Sequence, residues 1–203
     1  MEKTKIHLSE DELLLMQNSD WILTKNNIIE KISQGFGNLV VQMQQRIAAH
    51  QSKHDESIRL NSPKISRGEK YLGLPYVILD YPRIFGKEDI LAIRTLFWWG
   101  NYCSITLHVK GVWQEIVLQN MAANLDQLIM NSFYISFSGN EWSHNILDSH
   151  YIKLQHLTHE EILQKLPATD FLKLVSKVPI GPWVNMEKRL FDLFLKLVEL
   201  IRS

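Results

Sequence analysis

The sequence predicts an α+β protein in which a mainly antiparallel sheet of five or six strands is covered by an N-terminal helical hairpin and a long C-terminal helix. Three observations carry that expectation. Apolar residues recur at helical spacing at the start of the chain, short β-branched and aromatic runs bounded by Gly, Pro or Asn fill its middle, and a strongly apolar helical pattern closes it. At 203 residues the chain fits one domain, read as a helical part over 1–52, a loop over 53–73 and an α+β core over 74–203.

Ser9 and Glu12 have the spacing of a capping box, in which hydroxyl and carboxylate each satisfy an orphan amide, so a short helix is expected from about Ser9 to Asn18. After the break at Asn18, Ser19 and Asp20, residues Ile22, Ile29, Ile32, Phe36, Leu39, Val40, Met43 and Ile47 share a stripe roughly 120° wide. This predicts a long amphipathic helix with one buried face. Gly35 and Gly37 lie inside it, and each is worse than Ala by about 1 kcal/mol in a helix, so they mark a close backbone approach or a break.

Residues 53–73 are polar, with turn signals at Asn61-Ser62-Pro63 and Arg67-Gly68-Glu69, and read as a long loop between hairpin and sheet. Strands are expected over 76–81, 103–109, 112–118, 133–137 and 151–157, with a sixth candidate over 171–178; Lys110-Gly111 reads as a hairpin turn. Helices are expected over 87–99, over 120–130, and from Thr158, whose spacing to Glu161 makes a second capping box. In the last helix, 183–202, apolar residues fill an arc of roughly 220°, more than one neighbour covers. The expected position is between the sheet and the N-terminal helix; the alternative is a homodimer contact through this C-terminal helix.

Twenty-two Lys and Arg balance twenty-two Asp and Glu, with no run of like charge, so no nucleic-acid partner is expected. No signal-peptide core opens the chain and nowhere do eighteen apolar residues run together, which predicts no membrane association. A lone cysteine, Cys103, forms no intrachain disulfide and fits a cytoplasmic setting. It shares a strand face with Ile105, Leu107 and Val109, opposite His108 and about 17 Å from it at about 3.3 Å per residue, so the two make no nucleophile–base dyad.

The block Phe97-Trp98-Trp99-Gly100-Asn101-Tyr102 is the most unusual composition in the chain. At a helix end stopped by Gly100, Trp98 and Trp99 point about 100° apart, so one of them should border a cleft, an interface or solvent, and a ligand-stacking wall is the functional reading. Nearby, Tyr81, Arg83 and Arg94 could grip a small anionic ligand, because guanidinium groups fork onto carboxylate or phosphate; an internal pair with Asp80 explains an arginine more simply.

His144, His150, His156 and His159 cluster in sequence with Glu141 and Asp148, which is metal-ligand chemistry. On an extended segment His150 and His156 stand about 20 Å apart, leaving only Asp148 and His150, about 7 Å apart, as a local pair, while Ser138 to Glu141 reads as a further capping box. The single Glu141-x-x-His144 pair lacks the second copy that a di-iron site needs. No metal is expected. Gly35-x-Gly37 has neither a preceding strand nor a third glycine, no other nucleotide or catalytic motif is found, and no cofactor is expected.

Two readings of function follow. The first is a non-catalytic binding or interaction protein, motivated by the absence of a catalytic constellation and by the wide apolar arc of the last helix. The second is a hydrolase-like small-molecule enzyme with a pocket lined by Arg83, Arg94, Trp98 and His108, joined by Tyr81 and by Asp148 and His150. A pocket gathering those side chains favours the second, and their dispersal favours the first.

Overall fold

The computed structural model describes residues 6–49, 58, 61–158, 160–162 and 169–202. Its elements in chain order are helices α1 (Glu10–Gln17) and α2 (Ser19–Ala48), strands β1 (Lys64–Tyr71), β2 (Leu74–Phe85), β3 (Ile90–Trp98) and β4 (Tyr102–Lys110), and helix α3 (Val112–Met130). Strands β5 (Tyr134–Ser136), β6 (Ile152–Lys153) and β7 (Leu172–Pro179) and helix α4 (Trp183–Leu200) complete it. The seven strands form one antiparallel sheet in the order β1-β2-β3-β4-β7-β5-β6. The fold is therefore α+β, with one or two more strands than the sequence predicts.

The capping box at Ser9 is present, with Ser9 N donating to Glu12 Oε2 at 2.7 Å and Glu12 N to Ser9 Oγ at 3.2 Å. Ile29, Ile32, Phe36, Leu39, Val40, Met43 and Ile47 are buried as the stripe requires, but Ile22 is exposed because the first turns of α2 project beyond the core. Helix α2 runs unbroken through its glycines. A Cβ on Gly35 would lie 2.2 Å from the Trp183 indole, so this glycine marks a close approach of α4. The contact continues in a Phe36–Trp183 ring pair at 5.9 Å and in Glu187, which accepts from Gln42 Nε2 and Trp183 Nε1, both at 2.8 Å.

On the sheet face turned to the helices stand Val77, Leu79 and Tyr81 of β2, Leu91, Ile93 and Phe97 of β3, Cys103, Ile105, Leu107 and Val109 of β4, and Leu172, Leu174 and Val178 of β7. Helix α4 lies on this face, flanked by α2 and α3, with Leu190, Leu193, Phe194, Leu197 and Leu200 fully buried. The sheet, α2 and α3 together cover most of its wide apolar arc, with Phe191 and Leu195 partly buried.

Four element assignments are corrected, the smallest at 151–157, where only β6 is extended and Leu154–His156 form a 3-10 turn. Residues 87–99 hold strand β3, not a helix: every residue of β3 except Arg94 is buried, so both faces are apolar and the period of two is erased. Residues 112–118 open helix α3, not a strand, and Trp113, Val117, Met121, Leu125 and Leu128 form its buried stripe. Gly111 is the pivot. Its φ of 62° and the carboxylate of Asp89, which accepts from Val112 N at 2.9 Å, turn the chain from β4 into the helix where a hairpin is expected. Residues 64–71 of the expected loop form edge strand β1, whose exposed polar sequence hides its pairing with β2. Gly100, at φ 71°, serves the β3–β4 turn and stops no helix.

The two glycines of α2 give a paired prediction. Gly35→Ala forces a methyl against the indole and should lower stability by about 1–3 kcal/mol, whereas Gly37→Ala, where a Cβ meets nothing within 4 Å, should raise it by about 0.5–1 kcal/mol. Chemical denaturation of both variants checks this; effects of the same sign would show that the α2–α4 approach is not close.

Candidate functional site

The opposite sheet face carries the polar chemistry. Strand register sets Asp80, Arg94, Thr106 and Val175 side by side in one row across the sheet, and Ala92, His108 and Lys173 in the next. Arg94 forks onto Asp80, Nε to Oδ1 at 2.6 Å and Nη2 to Oδ2 at 2.8 Å, and its Nη1 donates to His144 Nε2 at 2.7 Å. That geometry requires a neutral His144 with its proton on Nδ1.

The segment between β5 and β6, residues 137–151, lies over these rows. Lys173 Nζ donates to the carbonyls of Glu141, at 3.0 Å, and Ser143, and stands 5.5 Å from the Tyr151 ring centre. Glu141 Oε2 meets His108 Nε2 at 3.2 Å. Tyr71 Oη accepts from His144 N at 2.8 Å, and Tyr151 Oη donates to Ser143 O at 2.8 Å. Tyr102 Oη donates to His144 O at 3.2 Å and accepts from Ile146 N at 3.1 Å. Trp142 closes one side, its ring 5.5 Å from His108 and 6.2 Å from Phe85. The space left between Arg94, His108, Trp142, His144 and Lys173 is about 10 Å³, room for one water at most.

Burial dominates the electrostatics. It pushes His108 down to about 3, with Lys173 and Arg94 adding to the effect, and His144 likewise to about 3, with Arg94 and Lys173 adding. Lys173 is pushed down to about 7 by burial and by Arg94, against the pull of Glu141 and Asp148. The Tyr102 hydroxyl is held up at about 12, first by burial, and burial also lifts Tyr151 and Tyr81. On the helix face, Cys103 is pushed up to about 12 by burial, an inert thiol.

Of the residues predicted to bind a ligand, Arg94 and His108 meet around that small space. Trp98 shares their face, but it is buried against Tyr71 and Tyr102 and donates Nε1 to Tyr71 O at 3.2 Å. Tyr81 points into the helix-side core. Arg83 turns to the sheet edge, donating Nε to Ser62 O at 3.0 Å. Both arginines are thus engaged by the chain itself, Arg94 by Asp80 as the simpler reading has it. Asp148 and His150 do not converge: Asp148 accepts from Ser143 Oγ and from Asn145 Nδ2, the latter at 2.9 Å, while His150 packs on Tyr151. Among the described residues no group of three His, Cys, Asp or Glu side chains stands together as a metal site; His159 lies outside them. Ser138 and Glu141 cap no helix, and Glu141 serves His108 instead. The cluster members that sequence reasoning missed are Lys173, Tyr71, Trp142 and Tyr151, while Tyr102 entered it only as part of the aromatic block. The signal for Lys173 was a lysine set between Leu172 and Leu174 in the apolar half of the strand 171–178, whose other charge, Lys177, is exposed.

A second, different feature opens where α2 overshoots the sheet. A groove of about 480 Å³ runs between α2, the β3–β4 turn and the start of α4, lined by Ile28, Lys31, Ile32, Phe97, Trp99, Gly100, Ile180, Gly181, Trp183 and Met186. Trp99 is half-buried there, so of the two adjacent tryptophans it is the one that borders a cleft. A shallower hollow continues past Trp99 and Ile28 to Trp21, which is 52% exposed. Lys31 is the sole charge in the groove lining. Compared with known proteins, the chain matches no family model, no curated protein and no solved structure.

The shifted groups predict the pH dependence of stability. Between about pH 3 and 6.5 the unfolded imidazoles of His108 and His144 hold more protons than the folded ones, so stability falls as pH drops through that window. Between about pH 7 and 9 the unfolded Lys173 amine holds more, so stability rises with pH there, and above about pH 9 the raised Cys103 and Tyr102 groups, which keep protons the unfolded chain loses, oppose it. Melting temperatures across pH should climb on both limbs, with Lys173→Met flattening the upper and His108→Gln the lower. A wild-type profile flat from pH 4 to 6.5 would contradict the buried neutral imidazoles.

Proposed function

We propose that this chain is a non-catalytic interaction protein whose working surface is the groove around Trp99 and Trp183, and that it receives an apolar helical segment of a protein partner. The observation that carries the reading is a contrast. The groove is open, apolar and floored by aromatic rings, whereas the cluster of Arg94, His108 and Lys173 leaves about 10 Å³, too little for a substrate. Aromatic residues and Met are the side chains enriched at the centre of protein interfaces, and a lining with one charge is poorly matched to nucleic acid. The single buried Cys103 supports a cytoplasmic setting.

A hydrolase-like reading has one observation in its favour, the amine of Lys173 held near neutrality beside two neutral imidazoles. It requires residues 137–151 to leave the sheet.

A photo-crosslinking side chain placed at Ile180, 45% exposed at the groove mouth, tests the proposal in the native host, with Leu147, 80% exposed on the other side of the sheet, as control. Protein adducts at Ile180 and none at Leu147 are expected. No adduct at Ile180, or equal adducts at both, would overturn the reading.

A further inference from the structure

We propose that the segment entering the groove is helix α1 of a second copy of this chain, so that two copies pair by exchanging their N-terminal arms. The inference rests on reading the groove as an interaction surface and names its occupant.

Helix α1 is well capped yet buries none of its residues. Leu13, Leu14, Leu15 and Met16 are 45%, 65%, 59% and 71% exposed. Four consecutive apolar residues, about 100° apart, surround the helix, and a helix apolar all round belongs in a buried setting. An eight-residue helix is also too short to persist in water without packing. Among the described residues the main neighbour of α1 is the start of α2, where Trp21, Ile22 and Leu23 are themselves about half exposed. The arm and the groove are therefore two unmatched apolar surfaces, one of each per chain, and a two-fold axis pairs each arm with the other copy's groove and closes the assembly.

Charge agrees with this pairing. The first turn of α1 carries Glu10, Asp11 and Glu12 and its last turn carries no base, while the groove presents Lys31 and no acid. A concave groove also suits a helix with apolar residues on every side, because its walls touch more than one face of the insert at once. The shallower hollow leading to Trp21 extends the seat toward the base of the partner's own arm.

The test is association of the full-length chain with one variant on each surface. Leu14→Asp places a charge on the arm. Gly181→Phe fills the groove from a position where a Cβ meets nothing within 4 Å and φ is not positive, so the fold is preserved, and thermal melting confirms this for each variant. Sedimentation should show a wild-type dimer, and each variant alone should be monomeric with at least a tenfold weaker association.

Mixing the two variants is the decisive arm. The intact arm of the Gly181→Phe chain meets the intact groove of the Leu14→Asp chain, so a one-to-one heterodimer should form where neither variant pairs with itself. A monomeric wild type at about 100 µM, a dimer that survives both variants, or failure of the mixture to associate would each overturn arm exchange. If crosslinks from Ile180 then reach a different protein, the groove remains an interaction surface and only the identity of its occupant falls; if they reach nothing, both readings fall.

Discussion

Strands β3 and β4 are buried on both faces, and the rest of the molecule is arranged around that constraint. A strand pair buried on both faces needs two covers. Helix α4, flanked by α2 and α3, supplies one, with side chains that interdigitate in a continuous apolar core. The other cover is residues 137–151, which have little regular structure and bring mostly carbonyls, imidazole and carboxylate to the sheet. An irregular segment leaves many backbone groups to be satisfied, and a buried one must satisfy them from the surface beneath.

This explains why Lys173, Arg94 and two tyrosines stand on a face that is otherwise closed. Each meets a backbone or side-chain group of the cover: Lys173 two carbonyls, Tyr102 a carbonyl and an amide, Tyr71 an amide, Arg94 the His144 ring. A buried charge is tolerated when it is paired and hydrogen-bonded, and Asp80 pairs Arg94 across adjacent strands. The cluster has the composition of an active site and the geometry of a fastener. The other end of the molecule is more open: there the first turns of α2 and all of α1 stand clear of the sheet and the groove opens beside them.

Much of this was legible in the sequence wherever apolar and polar positions separate with the period of the element or a cap marks its start. The capping box of α1, the stripe of α2, the arc of α4, and Cys103 with its apolar neighbours opposite His108 are such cases. Legibility failed where that contrast is missing. Strand β3 is apolar on both faces and reads as a helix, β1 is polar on an exposed edge and reads as a loop, and the β-branched start of α3 imitates a strand until Gly111 is seen to turn the chain. The Asp80–Arg94 pair could be anticipated from neighbouring residue types, but the cluster as a whole could not. Its members come from β1, β2, β3, β4, β7 and the 137–151 segment, and only the strand order, with β7 inserted between β4 and β5, brings them together.

Amine labelling of the native protein measures directly whether the polar face is sealed. An amine held near neutrality is an unusually good nucleophile if reagent reaches it. Brief acetylation followed by peptide mass spectrometry should modify exposed lysines such as Lys87 and leave Lys173 untouched until the chain is denatured. Native labelling of Lys173 as fast as Lys87 would contradict a sealed face and identify the Arg94, His108 and Lys173 cluster as an open, reactive site.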